Sequence, residues 1–161
     1  MTRFRGAFVA LAIAWAMLLP VAAFVASRRS PAEPATGYAL ALAVYSIGSL
    51  ICHQRPERSF QLFAAQLPVC ARCTGIYVGA ALAAIGFGVR PMRVDGSSLA
   101  ARIGARRVLV LAVLPTVATL VFEWSTGVMP AHWVRALSGA PIGAAVAWIV
   151  CRATPARPAG M

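Results

Sequence analysis

The chain has 161 residues, of which 60% are hydrophobic and 12% charged, and its mean hydropathy is +0.77. A water-soluble domain carries roughly 25% charged residues, so this composition excludes one and predicts a chain solvated by lipid. The formal charge of +11 comes from 15 arginines, with no lysine, against 4 acids. These arginines flank apolar runs, form no basic stripe and accompany no nucleic-acid-binding motif. They therefore read as anchors of membrane spans, with no nucleic acid among the expected partners.

In chain order, five apolar runs predict an all-α polytopic bundle, a single membrane domain over 1–161 with about five spans. The first run, 7–26, follows Arg3 and Arg5, precedes Arg28 and Arg29, and contains Pro20. A retained span is the preferred reading, and a cleaved signal ending in the small residues near Val21-Ala22-Ala23 competes with it. A linker at 31–36 leads to the second run, 37–52, which is short for a span. A polar loop, 53–67, comes next. Pro68 is expected to open the third helix, because its missing N–H costs nothing at a first helical position, and that run extends over 69–89. Gly75, Gly79 and Ala83 line it at four-residue spacing, a stripe that permits close helix contact. A basic connection then carries Arg90, Arg93, Arg102, Arg106 and Arg107, with a short interfacial helix expected at 99–108. The fourth run is 108–126, and a turn at 127–130 leads to the fifth, 133–151, with a second small stripe at Gly139, Gly143 and Ala147. Residues 152–161 read as a tail rich in proline and alanine.

With five spans, nine arginines fall on one side and five on the other when the amino terminus is outside. The excess of arginine in cytoplasmic segments then makes the protein a multi-pass (inner) cell-membrane protein with the 53–67 loop extracytoplasmic.

The residues suited to chemistry crowd around that loop. Cys52-His53-Gln54 precedes it, and Cys70-Ala71-Arg72-Cys73 follows it. The C-x-x-C spacing puts two sulfurs on one side of a helical turn, and Cys52 and His53 add a sulfur and an imidazole. A Cys₃His set suits a tetrahedral zinc or another transition metal. The same pair also suits redox chemistry, since a helix N-terminus and Arg72 both favour a thiolate, and a quinone acceptor belongs to that alternative alone. A disulfide from Cys52 to Cys70 or Cys73 is the third reading. The preference runs in that order, and whether the protein is an enzyme stays open. Chain direction brings the end of the fourth run and the start of the fifth to the same face as this cluster. Glu123, the one acid within a predicted span, needs a partner in lipid, with Arg72 and Arg135 as candidates. Gln54, Arg72, Glu123 and Arg135 are expected to surround the metal or to contact a substrate. His132 reads as an interface anchor, and Cys151 is placed at the opposite face. A noncatalytic assembly or transport subunit, using the small-residue stripes for helix-packing protein partners, is the remaining alternative.

The string Cys52-His53-Gln54-x-Pro56-Glu57-Arg58-Ser59-Phe60, then Gln66-x-Pro68-Val69-Cys70-Ala71-Arg72-Cys73-Thr74-Gly75-Ile76-Tyr77, resembles the small prokaryotic membrane proteins called domain of unknown function 2085. Glu123 and the segment Arg135-Ala136-Leu137-Ser138-Gly139 are similar to later parts of that family's pattern, over about 37–150 in all. The chain departs from it at Ala65, near which a glycine is expected, and over 124–131. The resemblance implies a membrane location and a recurring Cys/His motif, and it makes no choice between metal and redox chemistry.

Overall fold

The computed structural model describes residues 2–28, 35–89 and 99–153. Most of the 31–36 linker, Arg29, Arg90, Arg93 and the tail from 154 lie outside those residues. Within them the chain forms five α-helices: α1 (Thr2–Ser27), α2 (Ala35–Ile51), α3 (Ala71–Val89), α4 (Leu99–Thr126) and α5 (His132–Ala153). Between α2 and α3 lie a 3₁₀ turn, Pro56–Arg58, and a small hairpin of β1 (Gln61–Leu62) and β2 (Ala65–Gln66), which pairs Gln61 with Gln66 and Leu62 with Ala65.

Five helices match the number of apolar runs, but their lengths divide them. Arg3–Ser27, Ile103–Thr126 and His132–Arg152 are long and apolar enough to cross a membrane, whereas the apolar parts of α2 and α3, Gly37–Ile51 and Ala71–Phe87, are shorter. At 1.5 Å per residue, a bilayer core of about 30 Å needs about 20 residues. The helix faces left uncovered are apolar, with Leu11, Leu82, Leu111 and Leu137 all exposed, as lipid-facing surface requires.

Two boundaries differ from expectation. The separate interfacial helix at 99–108 is instead the beginning of α4, because nothing between Leu99 and Val108 breaks a helix and the intervening glycine, Gly104, is tolerated. Pro68 does not start α3. The Thr74 N–H donates to the Cys70 carbonyl at 2.9 Å, so Cys70 is the N-cap and Ala71 the first helical residue.

Small residues set the central packing. α3 and α5 run parallel, and their glycines press backbone on backbone: Gly75 on Ala136, Gly79 on Ala140, Gly139 on Arg72 and Gly143 on Ile76. A Cβ at any of the four would overlap a carbonyl oxygen of the facing helix. The two predicted stripes therefore consume each other inside the bundle, and the glycines that suggested partner-binding faces are buried. α4 lies antiparallel to α5, with the Thr116 hydroxyl donating to the Ser138 carbonyl at 2.7 Å.

α1 is antiparallel to α3. Arg5 donates to the Phe87 carbonyl, and ten residues farther along α1 the Trp15 ring meets Tyr77 edge-on at 5.9 Å. Carried on, this register sets Ala22 level with Cys70. α2 does not follow the same direction. Gly37, near its start, sits beside Val25, while Gly48 sits beside the Pro68 carbonyl. Those two positions are about 16 Å apart along a helix, yet both lie at the carboxyl-terminal end of α1. α2 consequently crosses the end of α1 instead of running down it. α2 and the hairpin both pack against α1 and together make a lid beside the thiol-bearing end of the bundle.

Candidate metal centre and arginine–glutamate clamp

The lid and the bundle meet at the cysteines. The sulfurs of Cys52, Cys70 and Cys73 all lie within 4.8 Å of one another, and all three cysteines are free thiols. Sulfurs around a tetrahedral zinc stand roughly 3.8 Å apart, given Zn–S distances of about 2.3 Å, so rotamer-scale movement closes the difference. The cluster can chelate a transition metal. Among the described residues no histidine or carboxylate completes the group.

His53 is the correction. Cys52 is 9% exposed, whereas His53, the next residue, is exposed. The chain leaves helical geometry here, and Gln54 adopts a left-handed φ of 44°. Neighbouring side chains in such a non-helical stretch diverge, so sequence adjacency to Cys52 did not bring the imidazole into the cluster.

Backbone amides serve the sulfurs. The Cys70 N–H donates to Cys52 Sγ at 3.2 Å. As N-cap, Cys70 is positioned for its sulfur to accept from the first free amides of α3. The side-chain hydrogen bond with Cys73, together with the Cys73 and Arg72 amides and Cys52, holds the Cys70 thiol well below its usual pKa, against the opposing effect of burial. An anionic sulfur at a helix N-terminus is what a metal ligand or a nucleophilic thiol requires.

Two glutamines fasten the Cys52 segment to the Cys70 segment. Gln54 Nε2 donates to the carbonyls of Tyr45 and Pro68, each at 2.7 Å. Gln66 Nε2 donates to the Gln54 carbonyl at 2.6 Å and to the Ser59 hydroxyl at 3.3 Å. The Tyr45 hydroxyl closes the ring by donating to the Gln66 carbonyl. Gln54, expected beside the metal or on a substrate, has its amide donors engaged in this clasp. The clasp also explains Gly48, where a Cβ would strike the Pro68 carbonyl. Sequence reading missed the role of Gln66. The available signal was its position directly before Leu67-Pro68-Val69, three buried residues that needed an anchor.

Beside the thiols, Glu123 of α4 is held by Arg72 of α3 and Arg135 of α5, as its burial demanded. Arg72 Nη2 stands 3.0 Å from Glu123 Oε2, and Arg135 Nε stands 3.1 Å from Oε1. The second contact is off the N–H axis and so is an ion pair without a directed hydrogen bond. Arg72 also donates to the Thr119 hydroxyl at 3.3 Å. Glu123 is 8% exposed and Arg135 2%. His132 packs against Phe60 with ring centroids 5.6 Å apart. Cys151 lies at the other end of the bundle, among Arg5, Phe87, Trp148 and Arg152.

Fold and site together define a helical membrane protein that carries a thiol cluster and a buried ion-pair clamp at one end of its bundle. The chain belongs to the predicted membrane protein family DUF2085, whose pattern it matches over residues 52–149. It is 52% identical over 40 residues to an uncharacterized protein of Methanocaldococcus jannaschii, covering 25% of this chain and 26% of that one. It is 60% identical over 30 residues to an uncharacterized protein of Methanothermobacter thermautotrophicus, covering 19% of this chain and 27% of the other. The chain thus spans about a quarter of the length of these relatives. No solved structure matches.

Proposed function

We propose that this protein is a multi-pass membrane metalloprotein in which Cys52, Cys70 and Cys73 hold a zinc ion, with the fourth position left to water or a substrate. One observation carries the reading: three sulfurs from two segments 18 residues apart lie within 4.8 Å of one another around a helix N-terminus. Cys52, Cys70 and Cys73 would hold the ion through three ligands, and a zinc so held would supply Lewis-acid chemistry at its remaining position. The electrostatic coupling of Arg135 to Cys70 supports Arg72, Glu123 and Arg135 as the groups that orient what occupies that position.

The membrane placement follows from direction. α3 is parallel to α5 and packed along it, so where α5 crosses α3 crosses too; α1 and α4 run the opposite way. This reading has four crossings, with α2 lying across one membrane face in place of a fifth. Both chain ends then share a side. In sequence, nine arginines (Arg3, Arg5, Arg90, Arg93, Arg102, Arg106, Arg107, Arg152 and Arg157) then fall on the side of the termini and six (Arg28, Arg29, Arg55, Arg58, Arg72 and Arg135) on the side of the cysteines. The positive-inside tendency favours a cytoplasmic terminal side and an extracytoplasmic thiol cluster. Reporter fusions at both termini test this. Termini on opposite sides would restore the five-span arrangement.

Metal content of the purified chain, with a Cys70→Ser variant beside it, tests the metal reading. About one metal per chain is expected in the wild type and almost none in the variant. Equal, near-zero metal in both ends the proposal.

A second reading, thiol–disulfide exchange, is favoured by the amide-stabilised Cys70 sulfur. Oxidising the Cys70 thiolate and the Cys73 thiol to a disulfide releases two electrons and one proton, which a membrane quinone would accept together with a second proton from water. Thiol trapping in cells separates the readings: a Cys70–Cys73 pair that changes state with the redox supply supports exchange, and thiols released only by a chelator support metal.

A further inference from the structure

A second cluster on the same face has more positive charge than its partners neutralise. Arg135 is almost wholly buried, at 2% exposure, and its Nη1 has no hydrogen-bond acceptor among the described residues. Nε of Arg58, Nε of Arg72 and Nε2 of His132 are also buried without a partner there. These groups share one neighbourhood. Arg58 and Arg72 both act electrostatically on Arg135. Arg72 and Arg135 share Glu123, and His132 stands about one helical turn before Arg135 on α5.

Three guanidinium groups stand against Glu123 and the Cys70 thiolate, which also acts electrostatically on Arg135, a net charge of +1 with His132 neutral. Glu57, the other acid among the described residues, is exposed and forms no ion pair among them. Glu123 takes one nitrogen from each of two forks and leaves Nε of Arg72 and Nη1 of Arg135 without an acceptor among the described residues. Excess cation at a membrane face is costly unless an anion or water answers it. Planar guanidinium forks suit phosphate oxygens, which accept several donors at once. A carboxylate, with two oxygens, offers fewer acceptor atoms than the cluster has orphaned donors.

We propose that Arg58, Arg72 and Arg135, with His132 at the edge, bind a phosphate group beside the thiol cluster, with Glu123 positioning two of the three guanidinium forks. This site rests on the orphaned donors and stands whether or not the sulfurs carry a metal. The phosphate comes either from a soluble molecule or from the headgroup of an anionic phospholipid.

Trp124 and Trp133 flank the clamp in sequence and report on it by fluorescence. The full-length protein in a neutral detergent is titrated with inorganic phosphate at constant ionic strength. It is titrated separately with micelles doped with phosphatidylglycerol and with phosphatidylcholine. A saturable response to inorganic phosphate assigns a soluble ligand; one to phosphatidylglycerol but not phosphatidylcholine assigns a lipid. Either response is expected to weaken at least tenfold in Arg58→Gln, which alters a loop residue, and in Arg135→Lys, which keeps the charge but loses the fork. Arg107→Gln, which alters an exposed arginine at the opposite end of the bundle, is expected to bind phosphate as the wild type does. Three results would overturn the site: no saturable response to either source, a response unchanged in both Arg58→Gln and Arg135→Lys, or a loss in Arg107→Gln equal to theirs.

Discussion

The α3–α5 seam and the lid made by α2 and the hairpin hold the same site by opposite means. The seam has no side chains to adjust: glycine backbone meets facing backbone at four positions. It fixes Arg72 relative to Arg135, and so fixes the clamp on Glu123. The lid is joined through side-chain amides and a phenol, with Gln54, Gln66 and Tyr45 bridging segments remote in sequence. It fixes Cys52 relative to Cys70. In a lipid-solvated bundle, close contact between small residues builds the rigid frame. Hydrogen bonds do the work where the chain leaves helical form and exposed backbone groups need partners.

Bulk placed in the seam is the sharpest test of this contrast. Gly143→Leu is expected to abolish the folded state, because its Cβ overlaps the Ile76 carbonyl and neither backbone can retreat. Gly86→Leu, on the same helix as Gly75 but with nothing within 4 Å, is expected to fold normally; size-exclusion profiles in detergent compare the two. If both fold alike, the seam is not the frame. Next in size is Glu123→Gln, which strands the buried Arg135 guanidinium and removes the charged partner of the partly buried Arg72. Removing one partner of a buried ion pair typically costs about 3–5 kcal/mol, and thermal unfolding in detergent is expected to show a loss of that order with the cysteine cluster still present.

A milder loss is expected in the lid. Gln54→Leu frees the Pro68 carbonyl and removes the extra donor on the Tyr45 carbonyl, which lies within α2, and an unsatisfied buried polar group costs about 1–3 kcal/mol. Because the clasp sets the separation between Cys52 and Cys70, metal retention in dialysis is expected to fall more than global stability does. Equal losses in both would place the clasp in the general core instead. The smallest effect is a gain. Phe63 and Ala64 occupy the two-residue hairpin turn at φ 54° and 60°, a conformation glycine adopts without strain. Ala64→Gly is expected to stabilise by about 1 kcal/mol or less, read as a small rise in melting temperature. It also accounts for the glycine expected near Ala65, since the left-handed turn is adjacent.

Legibility varied with the kind of constraint. The cysteine pair, the Glu123 partners and the glycine stripes were visible because each breaks a rule of lipid-solvated helices: a sulfur pair at helical spacing, an acid in an apolar run, and repeated glycine where side chains ordinarily pack. The face shared by Cys70, Glu123 and Arg135 followed from chain direction alone. His53 failed because adjacency in sequence guarantees proximity of backbones and says nothing about side chains once the helix ends. Gln54 and Gln66 could not be separated from ligand-contacting residues, since an amide that binds a carbonyl looks the same in sequence as one that binds a substrate.

The sequence by itself determined solvent and inventory. Apolar content dictated lipid-facing helices, and the positions of cysteine, arginine and glutamate dictated what chemistry was available. Tertiary structure alone decided that the two glycine stripes face each other and that α2 crosses the end of α1. It also decided that Cys52, and not its neighbour, joins the thiol pair. Composition and periodicity are local quantities set by a window of one helix. Those outcomes depend on contacts between segments far apart in the chain, where backbone overlap and unsatisfied carbonyls choose among arrangements of equal hydrophobicity.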